Sequence, residues 1–387
     1  MNSNERKLVR SVEDVRSVIT YAKLDEADLK SESTALFFSH TLIDKDVKLM
    51  EVSKEILASL EQGESLVIKG FELDDAVVCT HDQTFEIKEA GTSNSLLVLP
   101  SPSTAPILNE DETRTVKQLN ILGVYHTYYE LRPTLPRLRR LRTLLSEHPY
   151  KGKALESLDE QLNLTFAALS EAVQCSDSQI LDALTSLQAL KIRGHYRLFS
   201  LELKLKLMGQ TMTFMESANL LNSIQLTGLL EKLVEEERRE VVEHFFKVYF
   251  RKEDDILIFK EDEVCQLFAE GLLVSTSRFA LSEFCTVWQT AVPAGLKTRL
   301  DQLAGLALIE PAAVGSFIKF FPEYNLPEDI SERLAFLFLT RKKWSLQDLT
   351  PYIQPLATAK QDVKAILTKY ARASTENGVK FFSAKHG

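Results

Sequence analysis

Trp344-Ser-Leu-Gln-Asp-Leu-Thr-Pro-Tyr352 begins on an aromatic and continues as a short amphipathic helix. The turn Leu356-Ala-Thr-Ala-Lys360 follows, and then Val363, Ile366, Leu367 and Tyr370 fall at helical spacing. The stretch closes on Gly378-Val-Lys-Phe-Phe382, which reads as an aromatic strand. Helix, tight turn, longer helix and strand is the order of a winged helix-turn-helix. A third helix is expected just upstream, over Ser331 to Thr340.

Two earlier stretches repeat this order. Phe166-Ala-Ala-Leu-Ser-Glu-Ala-Val173 is followed by the turn Cys175-Ser-Asp-Ser178, a helix marked by Ile180, Leu184, Leu187 and Leu190, and the strand His195-Tyr-Arg-Leu-Phe199. Phe279-Ala-Leu-Ser-Glu-Phe-Cys-Thr-Val287 leads to Val292-Pro-Ala-Gly295, then Leu296, Leu300, Leu303 and Leu306, then Ser316-Phe-Ile-Lys-Phe-Phe321. Their upstream helices are expected at Leu155 to Gln161 and Glu261 to Gly271. A single such pattern arises by chance, whereas three in order mark an internal repeat. Leu226 to Phe250, between the first and second copies, reads as one long helix with a solvated charge cluster.

The first hundred residues have a different texture. Ala35-Leu-Phe-Phe38, Val47 to Val52, Ser65 to Lys69, Ala76 to Cys79, Thr84 to Lys88 and Ser95 to Pro100 are short apolar or alternating runs joined by polar turns. They predict a barrel or sandwich, interrupted by one helix from Ser53 to Gln62 with Gly63 as its cap. Ser101 to Asn109 is a Pro/Ser/Thr-rich connector, after which the texture is helical. Leu135, Leu138, Leu141 and Leu145 mark the first helix, and Arg137, Arg139, Arg140 and Arg142 on its other faces read as a solvated basic surface. The expected class is therefore α+β: a β-rich barrel-type half followed by three tandem winged helices. Its domains are 1–112 (β-rich), 113–208 (connector helix and winged helix 1), 209–325 (linking helix and winged helix 2) and 326–387 (winged helix 3).

The chain of 387 residues is 44% hydrophobic and 26% charged, with a formal net charge of −9. That balance excludes a uniformly basic nucleic-acid coat but not a local basic patch. Residues 1–112 hold 22 acidic and 11 basic side chains, whereas Arg333 to the end holds ten basic and three acidic. Arg341, Lys342, Lys343, Lys360, Lys364, Lys369, Arg372, Lys380 and Lys385 in that tail are candidate phosphate contacts. Lys297 and Arg299 flank the corresponding helix of the second copy. No Asn/Gln/Arg set is placed for base-edge reading, so binding should be sequence-tolerant. The first copy carries Asp177, Gln179 and Asp182 on that helix and reads as a protein-docking module.

Cys79, Cys175, Cys265 and Cys285 make no CxxC pair, which predicts buried reduced thiols rather than disulfides or zinc. The first residues lack a signal-peptide core, and the longest uncharged run is broken by Pro100, Pro102 and Pro106; a soluble intracellular protein is expected. Phosphate-loop, dinucleotide-binding, zincin and serine-hydrolase motifs are missing. Cys79-Thr-His81-Asp82 places a thiol, an imidazole and a carboxylate together, yet a strand end and turn give no convergent geometry. The expectation is a binding protein with no cofactor and no metal.

Val78-Cys-Thr-His-Asp-Gln-Thr-Phe-Glu-Ile-Lys-Glu-Ala-Gly-Thr-Ser-Asn-Ser-Leu-Leu97 resembles the signature of the sister chromatid cohesion protein DCC family. Tyr128-Tyr-Glu-Leu-Arg-Pro133, the Arg/Leu helix and Tyr150-Lys-Gly152 fit the same family in the same order. The resemblance implies a nuclear, non-ATPase subunit of the cohesion-specific replication factor C-like clamp loader. It implies a composite barrel formed with the small and large chromosome-transmission-fidelity subunits, docked on the catalytic part of DNA polymerase epsilon. Later winged helices would contact single- and double-stranded DNA while the complex loads or unloads the sliding clamp. Val77, Val78, Phe85, Ile87, Leu97, Tyr128 and Tyr129 are the candidate partner surface. The alternative is a tandem winged-helix scaffold of membrane trafficking or transcription.

Overall fold

A computed structural model describes residues 11–25, 33–71, 74–100, 116–156, 164–218, 224–276, 278–311, 315–358, 361–376 and 378–385. The fold is mixed α/β. The connector Ser101 to Asn109, Lys360 and most of the helix expected at Leu155 to Gln161 lie outside the described residues.

The N-terminal region runs α1 (Val12–Tyr21), β1 (Ser33–Phe38), β2 (Met50–Glu51), α2 (Lys54–Glu61), β3 (Val67–Lys69), β4 (Val77–Cys79), β5 (Thr84–Val98), β6 (Val116–Ile121) and β7 (Gly123–Pro133). Two expectations are corrected. Thr84 to Lys88 and Ser95 to Pro100 are not separate strands but ends of one 15-residue strand, β5. Strand structure also resumes after the connector, in β6 and β7, because Val124 to Tyr129 pairs as a ladder although its pattern lacks strict alternation.

The chain divides into two compact units, Met1–Leu57 with Ile87–Leu131, and Ala58–Glu86 with Arg132–Gly387. In the first, β1 runs parallel to β6 from Ser33↔Val116 to Phe38↔Ile121, and β2 parallel to β7 at Met50↔Tyr129. Ile121 and Tyr125 are buried. A Cβ on Gly123 would come within 2.7 Å of the Tyr125 ring, so the residue there must lack one.

The second unit opens with β3, β4 and the start of β5 as an antiparallel sheet, with Val78 opposite Ile68 and Phe85. Helical modules then follow one another. The first holds α3 (Arg139–Glu147), α4 (Phe166–Ala172), α5 (Asp177–Ser186), β8 (Leu190–Ile192) and β9 (His195–Arg197), around Leu141, Leu145, Leu169, Ile180 and Leu184. The next holds α6 (Leu201–Ser217), β10 (Ile224–Gln225), α7 (Leu226–Val234), α8 (Arg239–Tyr249), β11 (Phe250–Glu253) and β12 (Ile256–Phe259). A third runs α9 (Glu261–Val274), β13 (Phe279–Ala280), α10 (Leu281–Ala291), β14 (Ala307–Pro311) and β15 (Ser316–Phe320). The last runs α11 (Ile330–Thr340), β16 (Trp344–Ser345), α12 (Leu346–Ile353), α13 (Val363–Tyr370), β17 (Ala371–Glu376) and β18 (Val379–Ala384).

The three later modules share one sheet order: the short strand lies beside the last, and the last lies between the other two. The closing strands bury Phe259 in the second module, Ile318 in the third and Phe382 in the last, while Trp288 and Trp344 fill the last two cores. Both indoles donate to carbonyls, Trp288 to Cys265 at 2.8 Å and Trp344 to Arg341 at 2.9 Å.

The long helix expected over Leu226 to Phe250 is therefore two helices belonging to a module of their own. The break at Glu235 to Arg238 has a specific cause. Glu237 is 5% exposed, not solvated. It accepts hydrogen bonds from the Tyr150 hydroxyl at 2.6 Å, the Lys153 N–H at 2.9 Å and the Arg238 N–H at 2.8 Å. Burial and the neighbouring carboxylate raise the Tyr150 pKa, keeping the phenol a donor. Tyr150→Phe should cost about 1.5–3 kcal/mol, the value of a hydrogen bond to a charged group. Urea denaturation of the two proteins measures it, and a loss below about 0.5 kcal/mol would remove this carboxylate as the pin.

The second helix expected after Val292 is also corrected. Leu296, Leu300, Leu303 and Leu306 have helical spacing, but Gly295 sits at φ +94° and Arg299 is extended. What remains is one 3₁₀ turn, Leu300–Leu303.

Candidate nucleic-acid and partner surfaces

The α13 helix starts where the Asp362 carboxylate accepts the Ala365 N–H at 2.7 Å, closing one of the unpaired donors of the first turn. Val363, Ile366 and Leu367 face the core, which leaves Lys364 and Lys369 outward and exposed. The Lys369 ammonium stands 4.9 Å from the Tyr370 ring centroid, and that of Lys380 5.3 Å from Phe382. Arg372 on β17 is exposed, as is Lys342 before β16. Lys385 donates to the Lys369 carbonyl at 3.0 Å, tying the end of β18 to the end of α13. Among the described residues none of these groups has a carboxylate within ion-pair distance.

Other candidates are committed. The Arg341 guanidinium bonds the Ile309 carbonyl, lies 3.3 Å from Asp348 and stacks at 4.8 Å over Trp344. Lys343 pairs with Glu376. Arg299 is surrounded by Glu261 at 2.6 Å, Asp262 at 2.9 Å and Asp301 at 3.4 Å, so its charge is cancelled locally. Lys297 is exposed on the turn before it.

The basic surface expected at α3 forms only in part: Arg139 and Arg140 are exposed, whereas Arg137 and Arg142 are half-buried. Arg137 donates to the Gln174 side chain at 2.9 Å and to the Asp75 carbonyl at 3.1 Å. Arg140 lies 4.5 Å from the Phe71 ring centroid and Arg142 3.4 Å from that of Tyr324.

In the first module the start of α5 is occupied by the chain itself. Thr84 donates to Gln179 at 2.6 Å and accepts from the Ser176 N–H at 3.0 Å, while the Ser178 N–H reaches the His81 carbonyl at 3.2 Å. Lys69 donates to the Ser170 and Cys175 carbonyls at 2.8 and 2.7 Å. The first turn of that helix, which reads bases in DNA-binding helix-turn-helix proteins, is thus covered here.

Among the partner candidates, Val77, Val78 and Phe85 are buried in the chain's own interior. Ile87, Tyr128 and Tyr129 are half-buried, with the Tyr128 hydroxyl 3.2 Å from Glu130. Leu97 is exposed. Exposed apolar residues that sequence reasoning did not single out are Leu36, Phe37 and Phe38 on β1, with Leu96 beside Leu97 on β5. Their signal was present in the run Ala35-Leu-Phe-Phe38, four apolar residues without alternation.

Cys79, Cys175 and Cys265 are buried and unbridged. Burial pushes the Cys175 thiol up to about 12 and Cys265 to about 11, the reverse of what a nucleophile needs. Burial likewise raises Cys79 beside His81. No group of three or more His, Cys, Asp or Glu side chains among the described residues could hold a metal ion. No described helix is long and apolar enough to cross a membrane.

Repeated helix–hairpin modules carrying an uncommitted lysine face, joined to strands with exposed apolar residues, define a modular protein built around contact surfaces. Comparison with known proteins makes this specific. The family profile described as sister chromatid cohesion protein Dcc1 matches residues 47–353. The sister chromatid cohesion protein DCC1 of Xenopus tropicalis is 36% identical, covering 97% of this chain and 98% of its own length. That of Homo sapiens is 34% identical with the same coverage, and that of Saccharomyces cerevisiae 23% identical over 85% of this chain and 94% of its own. The chain belongs to the Dcc1 family of sister chromatid cohesion proteins.

Proposed function

We propose that the chain is a non-catalytic, nuclear subunit of an alternative replication factor C clamp loader, bridging the loader to DNA polymerase epsilon and to DNA. On this reading the helical modules are winged helices, the second of them a spacer. The last meets the phosphate backbone through Lys364, Lys369, Arg372 and Lys380. The first, whose α5 start is closed by Thr84 and His81, docks on protein. The strands of the first unit complete a barrel-type assembly with the small and large chromosome-transmission-fidelity subunits.

The observation that carries this reading is the exposure of Leu36, Phe37 and Phe38 at 49, 49 and 67% on one strand. Clustered exposed apolar side chains mark an interaction site. Burying three such side chains is worth several kcal/mol, enough to hold an assembly together. In coexpression, the full chain should copurify with the small chromosome-transmission-fidelity subunit and remain soluble. The variant L36E/F37E/F38E should lose that partner while its helical modules keep their far-ultraviolet signal. Retention of the partner by the variant would remove this strand as the docking site. Copurification with vesicle-coat or transcription subunits instead would favour a trafficking or transcription scaffold.

A further inference from the structure

The second unit contains a cleft of about 850 Å³ that no part of the proposed bridging role uses. Its walls come from α3, α6, α8 and α9 and from the Tyr324–Asn325 turn, where the first three modules meet. The volume is that of a small-molecule pocket rather than of a macromolecular groove.

The chemistry inside is unusual for a packing defect. Lys204 of α6 and Arg142 of α3 both line the cleft. The Arg142 guanidinium stands over the Tyr324 ring, 3.4 Å from its centroid. Among the described residues neither cation has a carboxylate within 4.0 Å. The Lys204 ammonium bonds no protein oxygen among those residues either. Burial lowers both pKa values, and the Glu270 carboxylate, which lines the same cleft, offsets that only in part. A desolvated, unpaired cation costs stability, and two adjacent ones repel each other. Aromatic rings of Tyr249, Tyr324, Phe199 and His244 form the walls, and Glu147, Glu263 and Glu270 add carboxylate acceptors.

We propose that this cleft binds a phosphomonoester-bearing small molecule of mononucleotide size. Its phosphate sits between Lys204 and Arg142, its flat body lies against the aromatic walls, and its hydroxyl or amino donors meet the carboxylates. Charge-assisted bonds from an ammonium and a guanidinium to one phosphate are the strong kind, and they give the two cations an anion in direct contact. Guanidinium held on a tyrosine face is pre-oriented for that role. The proposal rests on the cleft alone and not on the clamp-loader reading.

The test uses the full chain and two probes, inorganic phosphate and adenosine monophosphate, at constant ionic strength set with chloride. Thermal unfolding should shift upward with millimolar adenosine monophosphate and less with phosphate, and calorimetry should give one site. Lys204→Met should raise the unfolding midpoint of the free protein and weaken adenosine monophosphate by at least about tenfold, the loss of one charge-assisted hydrogen bond. Arg142→Gln should weaken the same probe while keeping the circular dichroism of the parent. Duplex DNA affinity should be unchanged in both variants, which separates this site from the lysine face of α13. No shift with either probe, or a shift that survives in Lys204→Met, would overturn the proposal.

Discussion

Replacing Arg333 with methionine is expected to destabilise the protein by about 3–5 kcal/mol, the range for breaking a buried ion pair from one side. Its side chain is 4% exposed and bonds Glu323 at 2.6 Å, the Pro327 carbonyl at 2.5 Å and the Tyr352 carbonyl at 2.8 Å. The guanidinium thus joins α11, α12 and the turn before them. Methionine fills a similar volume, so the loss comes from the groups left behind: a carboxylate and carbonyls without donors in a poorly hydrated place. Lysine would keep the charge but not the fork, and should recover little. The double variant R333M/E323L should recover part of the loss, because the orphaned carboxylate goes too. Denaturation in urea reads all three. A loss under about 1 kcal/mol for R333M would mean the pair contributes no more than a surface one.

The second large effect concerns nucleic acid. The triple reversal K364E/K369E/K380E should lower duplex affinity by at least about 100-fold at low salt and flatten the salt dependence by about three phosphate contacts. These three ammonium groups are exposed and stand beside aromatic rings or solvent rather than carboxylates. Arg341→Ala is the informative contrast. Its charge is already spent on Asp348 and the Ile309 carbonyl, so the salt slope should stay as in the parent. Any change in affinity would then come from the orientation of α11 relative to β14. Anisotropy of a labelled duplex across a sodium chloride series separates the two. A parental slope in the triple variant would move the DNA site elsewhere on the molecule.

Local pattern carried the sequence reading a long way. The aromatic-led helices at Phe166, Phe279 and Trp344 form, as do α9 and α11 and the closing hairpins. These are set by periods of 3.6 and 2, which are written in consecutive residues. The hidden second module was illegible for a physical reason. Its helix break depends on Glu237 turning inward to Tyr150, 87 residues away. Sequence shows six charged residues in a row there, Glu235 to Glu240, and gives no sign that one is buried. The third module failed in the opposite sense, with leucines at helical spacing after a left-handed Gly295 and across an Arg299 whose extended backbone breaks the helix. The charge tally of the tail erred likewise. Arg333, Arg341 and Lys343 add to that tally, yet each is bound to an acidic side chain, Glu323, Asp348 and Glu376. Composition fixes how many charges there are; only the fold says which of them remain unspent.

The shared strand order has a consequence for synthesis on the ribosome. In each of the three later modules the strand made last is the one that lies in the middle, between the two made before it. Until it emerges, the earlier strands have no common neighbour, and the faces of their helices stay uncovered. Each module therefore closes in a single step when its final hairpin leaves the exit tunnel. In the last module that strand is Val379–Ala384, which follows its neighbours Trp344–Ser345 and Ala371–Glu376 in synthesis.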